Sequence, residues 1–184
     1  MPEYRRAKRE GGTYFFTVNT YHRQPILTDV LIRQALREGI DKARQTLPFK
    51  IAAWVLLPDH LHCIWTLPPE DANFSARWAV VKRCVSKCCA AQRIGAWDAP
   101  YTSRRIRKES GIWQRRFWEH MIRDEDDFKR HVDYIHWNPV KQRHVRKVSD
   151  WPYSTFHRYV ANGTYPQDWG GNDPEDSKDA DFGE

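Results

Sequence analysis

Long apolar runs are missing from this sequence. No stretch approaches the roughly 18 to 20 residues that a membrane-spanning helix needs, and a mean hydropathy of −0.81 argues against a membrane protein. The N-terminus, Met1-Pro2-Glu3-Tyr4-Arg5-Arg6, lacks the apolar core of a secretory signal, so a cytoplasmic protein is expected. Cysteine is scarce. The four present, Cys63, Cys84, Cys88 and Cys89, fit neither a disulfide framework, a zinc site nor a CxxC redox pair, and read as buried thiols. Internal repeats are absent too, which excludes a solenoid.

What remains is one domain's worth of chain. A length of 184 residues allows one real core and is short for two. Aromatic residues make up 14% of it, with nine Trp, so some aromatic surface is available for stacking on a ligand. The net charge of +6 is unevenly spread: residues 171–184 hold six acids against one lysine, a net −5, which leaves +11 on residues 1–170. A body that basic suits a polyanion. The boundaries follow: a basic arm at 1–12, a folded domain at 13–170, and an acidic tail at 171–184 with nothing to bury.

Along the domain, Thr13-Tyr14-Phe15-Phe16-Thr17-Val18-Asn19 has the β-branched and aromatic content of a strand. Asp29 can cap a helix to about Gln45 whose apolar side is Val30, Leu31, Ala35, Leu36, Ile40 and Ala43. Strands from Phe49 to Leu57 and from His60 to Leu67 meet at Pro58-Asp59, too close for anything but antiparallel neighbours. A helix from Ser75 to Arg93 turns Trp78, Val81, Val85 and Cys89 inward and leaves Lys82, Arg83 and Lys87 to solvent. A strand over Ile112 to Ile122 follows, then a helix opened by Asp124 and broken at Asn138-Pro139, where the residue before proline is biased out of helix. Strand, helix, strand, strand, helix is the order of an α+β fold with helices packed on an antiparallel sheet.

The chemistry gathers on His60-Leu61-His62. Alternation along a strand puts both imidazoles on one side, where they can grip one divalent metal, although two histidines in a Trp-rich strand are also what half-buried, backbone-bonded residues look like. A partner decides between these readings. Tyr134 and Asn138 are four residues apart, one helical turn, and would set a phenol and a carboxamide oxygen over the histidine strand. A phenol is a weak nucleophile at pH 7 unless a nearby cation stabilises the phenolate. Mixed nitrogen and oxygen donors fit Mg²⁺ or Mn²⁺ in use, while the imidazoles alone bind Zn²⁺ more tightly. His136 points to another side of the helix, and His120 reads as structural. Arg5, Arg6, Arg104, Arg105, Arg107, Lys108, Arg115, Arg116, Lys141 and Arg143 are candidates for contact with DNA phosphates.

His60-Leu61-His62 after Leu57-Pro58-Asp59, then Tyr134-Ile135-His136-Trp137-Asn138-Pro139-Val140-Lys141, with Phe117-Trp118-Glu119-His120 and Asp150-Trp151-Pro152-Tyr153-Ser154, resembles the REP-associated tyrosine transposases, a single-tyrosine branch of the histidine-hydrophobic-histidine nucleases. The resemblance runs from Tyr14 to about Trp169. It implies a ferredoxin-like sheet flanked by helices, and cleavage and rejoining of single-stranded DNA beside palindromic hairpins by a nucleoid-associated enzyme. It implies that Tyr134 attacks the scissile phosphate, and that His60, His62 and Asn138 hold Mg²⁺ or Mn²⁺. Related insertion-sequence enzymes carry glutamine at the Asn138 position and work as dimers; the REP-associated branch implies a monomer. Two rivals stay open, a replication-initiator or relaxase-like nickase and a non-catalytic hairpin binder.

Overall fold

The first strand is the centre of the sheet, and its residues say so: Tyr14 to Val18 are buried without a gap, as a strand covered on both faces requires. The computed structural model describes residues 8–92 and 111–170. In it β1 (Thr13–Asn19) is followed by α1 (Val30–Thr46), β2 (Lys50–Leu56), β3 (His60–Thr66), α2 (Phe74–Gln92), β4 (Trp118–Met121), α3 (Glu125–Lys141) and α4 (Phe156–Ala161). The strand order is β2-β3-β1-β4 and every neighbouring pair is antiparallel, the ferredoxin-like α+β arrangement that the sequence implies. The acidic tail and the basic arm through residue 7 lie outside the described residues.

Alternation sorts the side chains of β1 and β3 onto two cores. Tyr14, Phe16, Val18, Leu61, Cys63 and Trp65 join Trp78 and Phe74 of α2 and the inner side of α1. Phe15, Val55, Leu57 and Ile64 pack on the opposite face against Val132, Tyr134 and Ile135 of α3. The histidines of β3 belong to this second face, so the sheet itself presents them to the helix that carries Tyr134.

Four expectations need correction. Val30 and Leu31 are 57% and 40% exposed, because the buried stripe of α1 is Ile32, Ala35, Leu36, Gly39 and Ala43, a cleaner helical spacing. Gly39 lets α2 come close: a Cβ there would stand 3.0 Å from Val81 Cα. The last strand is only four residues long: its ladder with β1 ends at Trp118 opposite Thr17, and upstream Trp113 makes an isolated bridge to Thr20 and buries its ring under α2. Lys82 is half-buried rather than free in solvent, its ammonium 5.5 Å from the centre of the Trp113 ring and donating to the Gln114 carbonyl at 3.3 Å. Finally, α3 does not break at Asn138-Pro139. It continues to Lys141, and Pro139 is accommodated near the end, where the Gln142 amide still reaches the Asn138 carbonyl at 2.9 Å.

Candidate active site

The turn at Pro58-Asp59 closes with the Leu57 amide donating to the His60 carbonyl at 2.9 Å, which makes His60 the first residue of β3. His60 and His62 then emerge on one face with ring centres 4.9 Å apart and planes 83° to each other. Both are buried, at 2% and 0% exposure. Each has its Nδ1 held from behind. Asp59 Oδ1 lies 2.7 Å from His60 Nδ1, and Thr17 Oγ1, directly across the ladder, lies 2.8 Å from His62 Nδ1. Partial burial works against the Asp59 carboxylate, but its bond to His60 and the charges of His60 and Arg23 outweigh that and keep its pKa below the usual carboxylate value. The two Nε2 atoms are thereby left to face the pocket. His60 Nε2 is buried and has no hydrogen-bond partner among the described residues.

The helix over this pair starts where its sequence says it should. Asp124 accepts the Asp127 amide at 2.8 Å and Glu125, Asp126 and Asp127 occupy the first turn, a cap and a dipole-matched charge set. Tyr134, Asn138 and Lys141, at i, i+4 and i+7, share a face. The Tyr134 ring is 5% exposed and meets His62 edge-on, centres 5.3 Å apart, with Phe15 against both rings. The Asn138 amide Nδ2 stands 3.2 Å from His62 Nε2, and turning the amide over would present its oxygen near the same nitrogen. Lys141 Nζ donates to the Tyr134 hydroxyl at 3.2 Å and lies 4.7 Å from the ring centre.

The structure therefore brings together His60, His62, Tyr134 and Asn138, and adds three residues that sequence reasoning did not assign there. Thr17 and Asp59 orient the imidazoles; the signal for Thr17 was its register opposite His62, available only once the pairing was known. Lys141, expected at DNA phosphates, sits on the phenol two turns from Tyr134. Arg115 and Arg116 lie exposed on the bend before β4, and Arg143 lies just past α3 with φ +59°. Arg104, Arg105, Arg107 and Lys108, like Arg5 and Arg6, fall outside the described residues.

His136 is turned away from the site, as its helical position required. Burial drives its pKa down to about 3, and its Nε2 is 2.9 Å from Thr155 Oγ1 among Phe156, Tyr159 and Tyr165. His120 joins Asp127 and His131 in a group whose ligand-type atoms all lie within 4.8 Å of one another and that could hold a metal ion. A separate groove of about 420 Å³ beside β2 is lined by Arg33, Arg37, Arg44 and Arg158 with Trp54 and Tyr153, a cationic, aromatic surface that the sequence did not single out.

A ferredoxin-like sheet with paired strand histidines under a helix tyrosine is the arrangement expected of the single-tyrosine, paired-histidine class. No protein-family model matches the chain. Individual relatives do. A REP-associated tyrosine transposase of Escherichia coli is 48% identical over 172 residues, covering 94% of this chain and 93% of that one. A Haemophilus influenzae relative of the same description is 43% identical over 177 residues, covering 94% and 95%. A solved structure of a REP-associated tyrosine transposase bound to a REP hairpin superposes with a TM-score of 0.78 at 48% identity, covering 94% of this chain and 93% of the other. The chain belongs to the REP-associated tyrosine transposase family.

Proposed function

We propose that this protein cleaves and rejoins single-stranded DNA beside REP-type hairpins, with Tyr134 as the nucleophile. The observation that supports this best is the convergence of Tyr134, Asn138 and Lys141 from one helix onto His60 and His62 from one strand. In the reaction the Tyr134 oxygen bonds to phosphorus as the P–O3′ bond breaks. The phenol proton leaves to solvent and the departing 3′-oxygen takes one up, so the products are a 5′-phosphotyrosine and a free 3′-hydroxyl. The new ester keeps the energy of the old one. A DNA 3′-hydroxyl can attack it in turn and reseal the strand without ATP.

The residues present fit a divalent cation. Two imidazoles face inward with their rear nitrogens fixed, one of them with a buried Nε2 that nothing else among the described residues engages, and a carboxamide stands beside the second. Such an orienting partner behind each ligand is the usual second shell of a metal histidine. His60, His62 and Asn138 would hold Mg²⁺ or Mn²⁺, whose part when bound is to polarise the scissile phosphate. Lys141 donates a hydrogen bond to the phenol oxygen and steadies its position. Phe15 and His62 fix the ring, so that little rotational freedom is lost on attack.

The DNA partner is inferred from the +11 body and from the hairpin-bound relative, with Arg115, Arg116, Arg143 and the arginines of the β2 groove as phosphate contacts. Because Tyr134 meets His62 within one chain, the site needs no exchanged helix, which supports a monomer. The test uses hairpin oligonucleotides labelled at either end, with Mn²⁺. The reading requires a covalent adduct on the downstream fragment and an upstream fragment extendable from its 3′-hydroxyl. Hairpin binding without an adduct, under Mg²⁺ or Mn²⁺, would make the protein a non-catalytic binder.

A further inference from the structure

The group on the other side of Phe15 is built differently from the His60 pair. His120 projects from β4 opposite Phe15 in the ladder, and its Nε2 is 2.8 Å from Asp127 Oδ2. Asp127 and His131 are four apart in α3, one turn, and His131 Nδ1 is 3.1 Å from Asp127 Oδ1. The two imidazoles lie nearly parallel, 13° between planes and 4.6 Å between centres. From the sequence alone His120 reads as structural, and His131 carries no signal of its own.

We propose that His120, Asp127 and His131 form a second metal site, taking a zinc-type transition-metal dication and tying the first turns of α3 to β4. Two imidazole nitrogens and one carboxylate oxygen form a donor set that binds Zn²⁺, Co²⁺ or Ni²⁺ more tightly than Mg²⁺. Donors bonded at about 2.0 to 2.2 Å around a tetrahedral zinc are separated by about 3.4 Å, so the His120–Asp127 pair, hydrogen-bonded at 2.8 Å, has to open by about half an ångström to admit a cation. The supports behind the ligands are present. Asp127 Oδ2 accepts the Arg123 amide at 3.0 Å, and His131 Nδ1 stands 2.8 Å from the Asp127 carbonyl, which holds the ring in place.

Access and charge agree with this assignment. The Asp127 and His131 side chains are 6% and 7% exposed, while His120 at 20% opens one side to solvent. Arg130, 70% exposed with its guanidinium 3.6 Å from Asp127 Oδ1, can swing away from an arriving cation. Without metal, a hydrogen bond joins His120 Nε2 to Asp127 Oδ2, and a cation bound between them would displace its proton. The site is separate from the first: the Phe15 ring stands against both, its centre 5.5 Å from that of His62 and 4.8 Å from that of His131. Tyr134 is one turn beyond His131, so a metal here would anchor the start of the helix that carries the nucleophile.

The experiment is a Zn²⁺ and Co²⁺ titration against a chromophoric chelator, which needs no DNA and does not depend on the reaction proposed above. Wild type, His60→Ala/His62→Ala and His120→Gln are compared, with the melting temperature read for each with and without Zn²⁺. The expected result is one tight equivalent retained by His60→Ala/His62→Ala, with cobalt absorption bands and a raised melting temperature, and one equivalent fewer in His120→Gln than in wild type. Because His120 is the most exposed of the three, its substitution tests the site without removing the Asp127 network from the core. Full wild-type stoichiometry in His120→Gln, or no tight equivalent in His60→Ala/His62→Ala, would overturn the proposal and leave a hydrogen-bonded triad.

Discussion

Replacing Thr17 by Val tests how the histidine pair is held. Thr17 and His62 are both fully buried and face each other across β1 and β3, with Oγ1 and Nδ1 2.8 Å apart. Valine keeps the shape and the strand preference and removes only the hydroxyl. A buried polar atom that loses its partner costs about 1 to 3 kcal/mol, a sizeable part of a domain's roughly 5 to 15 kcal/mol, so the variant folds with a lowered urea midpoint. The functional loss is expected to be larger in kind. Thr17 is the partner of His62 Nδ1, while Asn138 meets the other ring nitrogen; if His62 holds the proposed metal, losing this orienting partner should reduce metal affinity or activity about 10- to 100-fold. Mn²⁺ titration of adduct formation, with urea unfolding in parallel, separates the two effects. A Thr17→Val protein with wild-type Mn²⁺ dependence would refute the argument that the ladder orients His62, whatever its stability.

Other consequences are spread over the fold. Arg77 is fully buried and donates to the carbonyls of Leu47, Pro48 and Asn73 and to Asp71, at 2.7 to 3.1 Å; Arg77→Met leaves those carbonyls without their donor and should cost about 1 to 3 kcal/mol in urea unfolding, and an unchanged urea midpoint would contradict it. The same contact lowers the Asp71 pKa below the usual carboxylate value, so its stabilising effect is present above that value and is lost as pH falls through the lowered one; Arg77→Met should lose less stability on acidification than wild type. Burial raises the thiol of Cys63 strongly and that of Cys89 to about 11. Both should therefore resist iodoacetamide at pH 8 in the folded protein and react only after denaturation, as peptide mapping would show. Reversing two groove charges, Arg37→Glu and Arg44→Glu, should weaken hairpin binding and flatten its salt dependence by up to about two phosphate contacts.

Most of the sheet and the heart of the site could be read from the chain, because both rest on short-range rules. Strand alternation put His60 and His62 on one side, and helical spacing put Tyr134 above Asn138. What escaped depended on partners distant in sequence or on tertiary override. Thr17 matters through register 45 residues away, and Trp113 is drawn out of a strand pattern by the underside of α2. Pro139 was expected to stop a helix, yet it is buried with Asn138 near the end of α3, where the break in hydrogen bonding is small. His131 hid inside an apolar helical stripe, its i, i+4 relation to Asp127 visible only in retrospect beside a strand histidine.

The central functional claim is that Tyr134 becomes covalently joined to DNA. Wild type and Tyr134→Phe, incubated side by side with Mn²⁺ and a hairpin oligonucleotide from the host genome, should bind the hairpin with affinities within a few-fold of each other. A denaturing gel should show a protein–DNA adduct for wild type alone, with peptide mass mapping placing the nucleotide on Tyr134. An adduct of undiminished yield in Tyr134→Phe, or one mapped to another residue, would contradict the account.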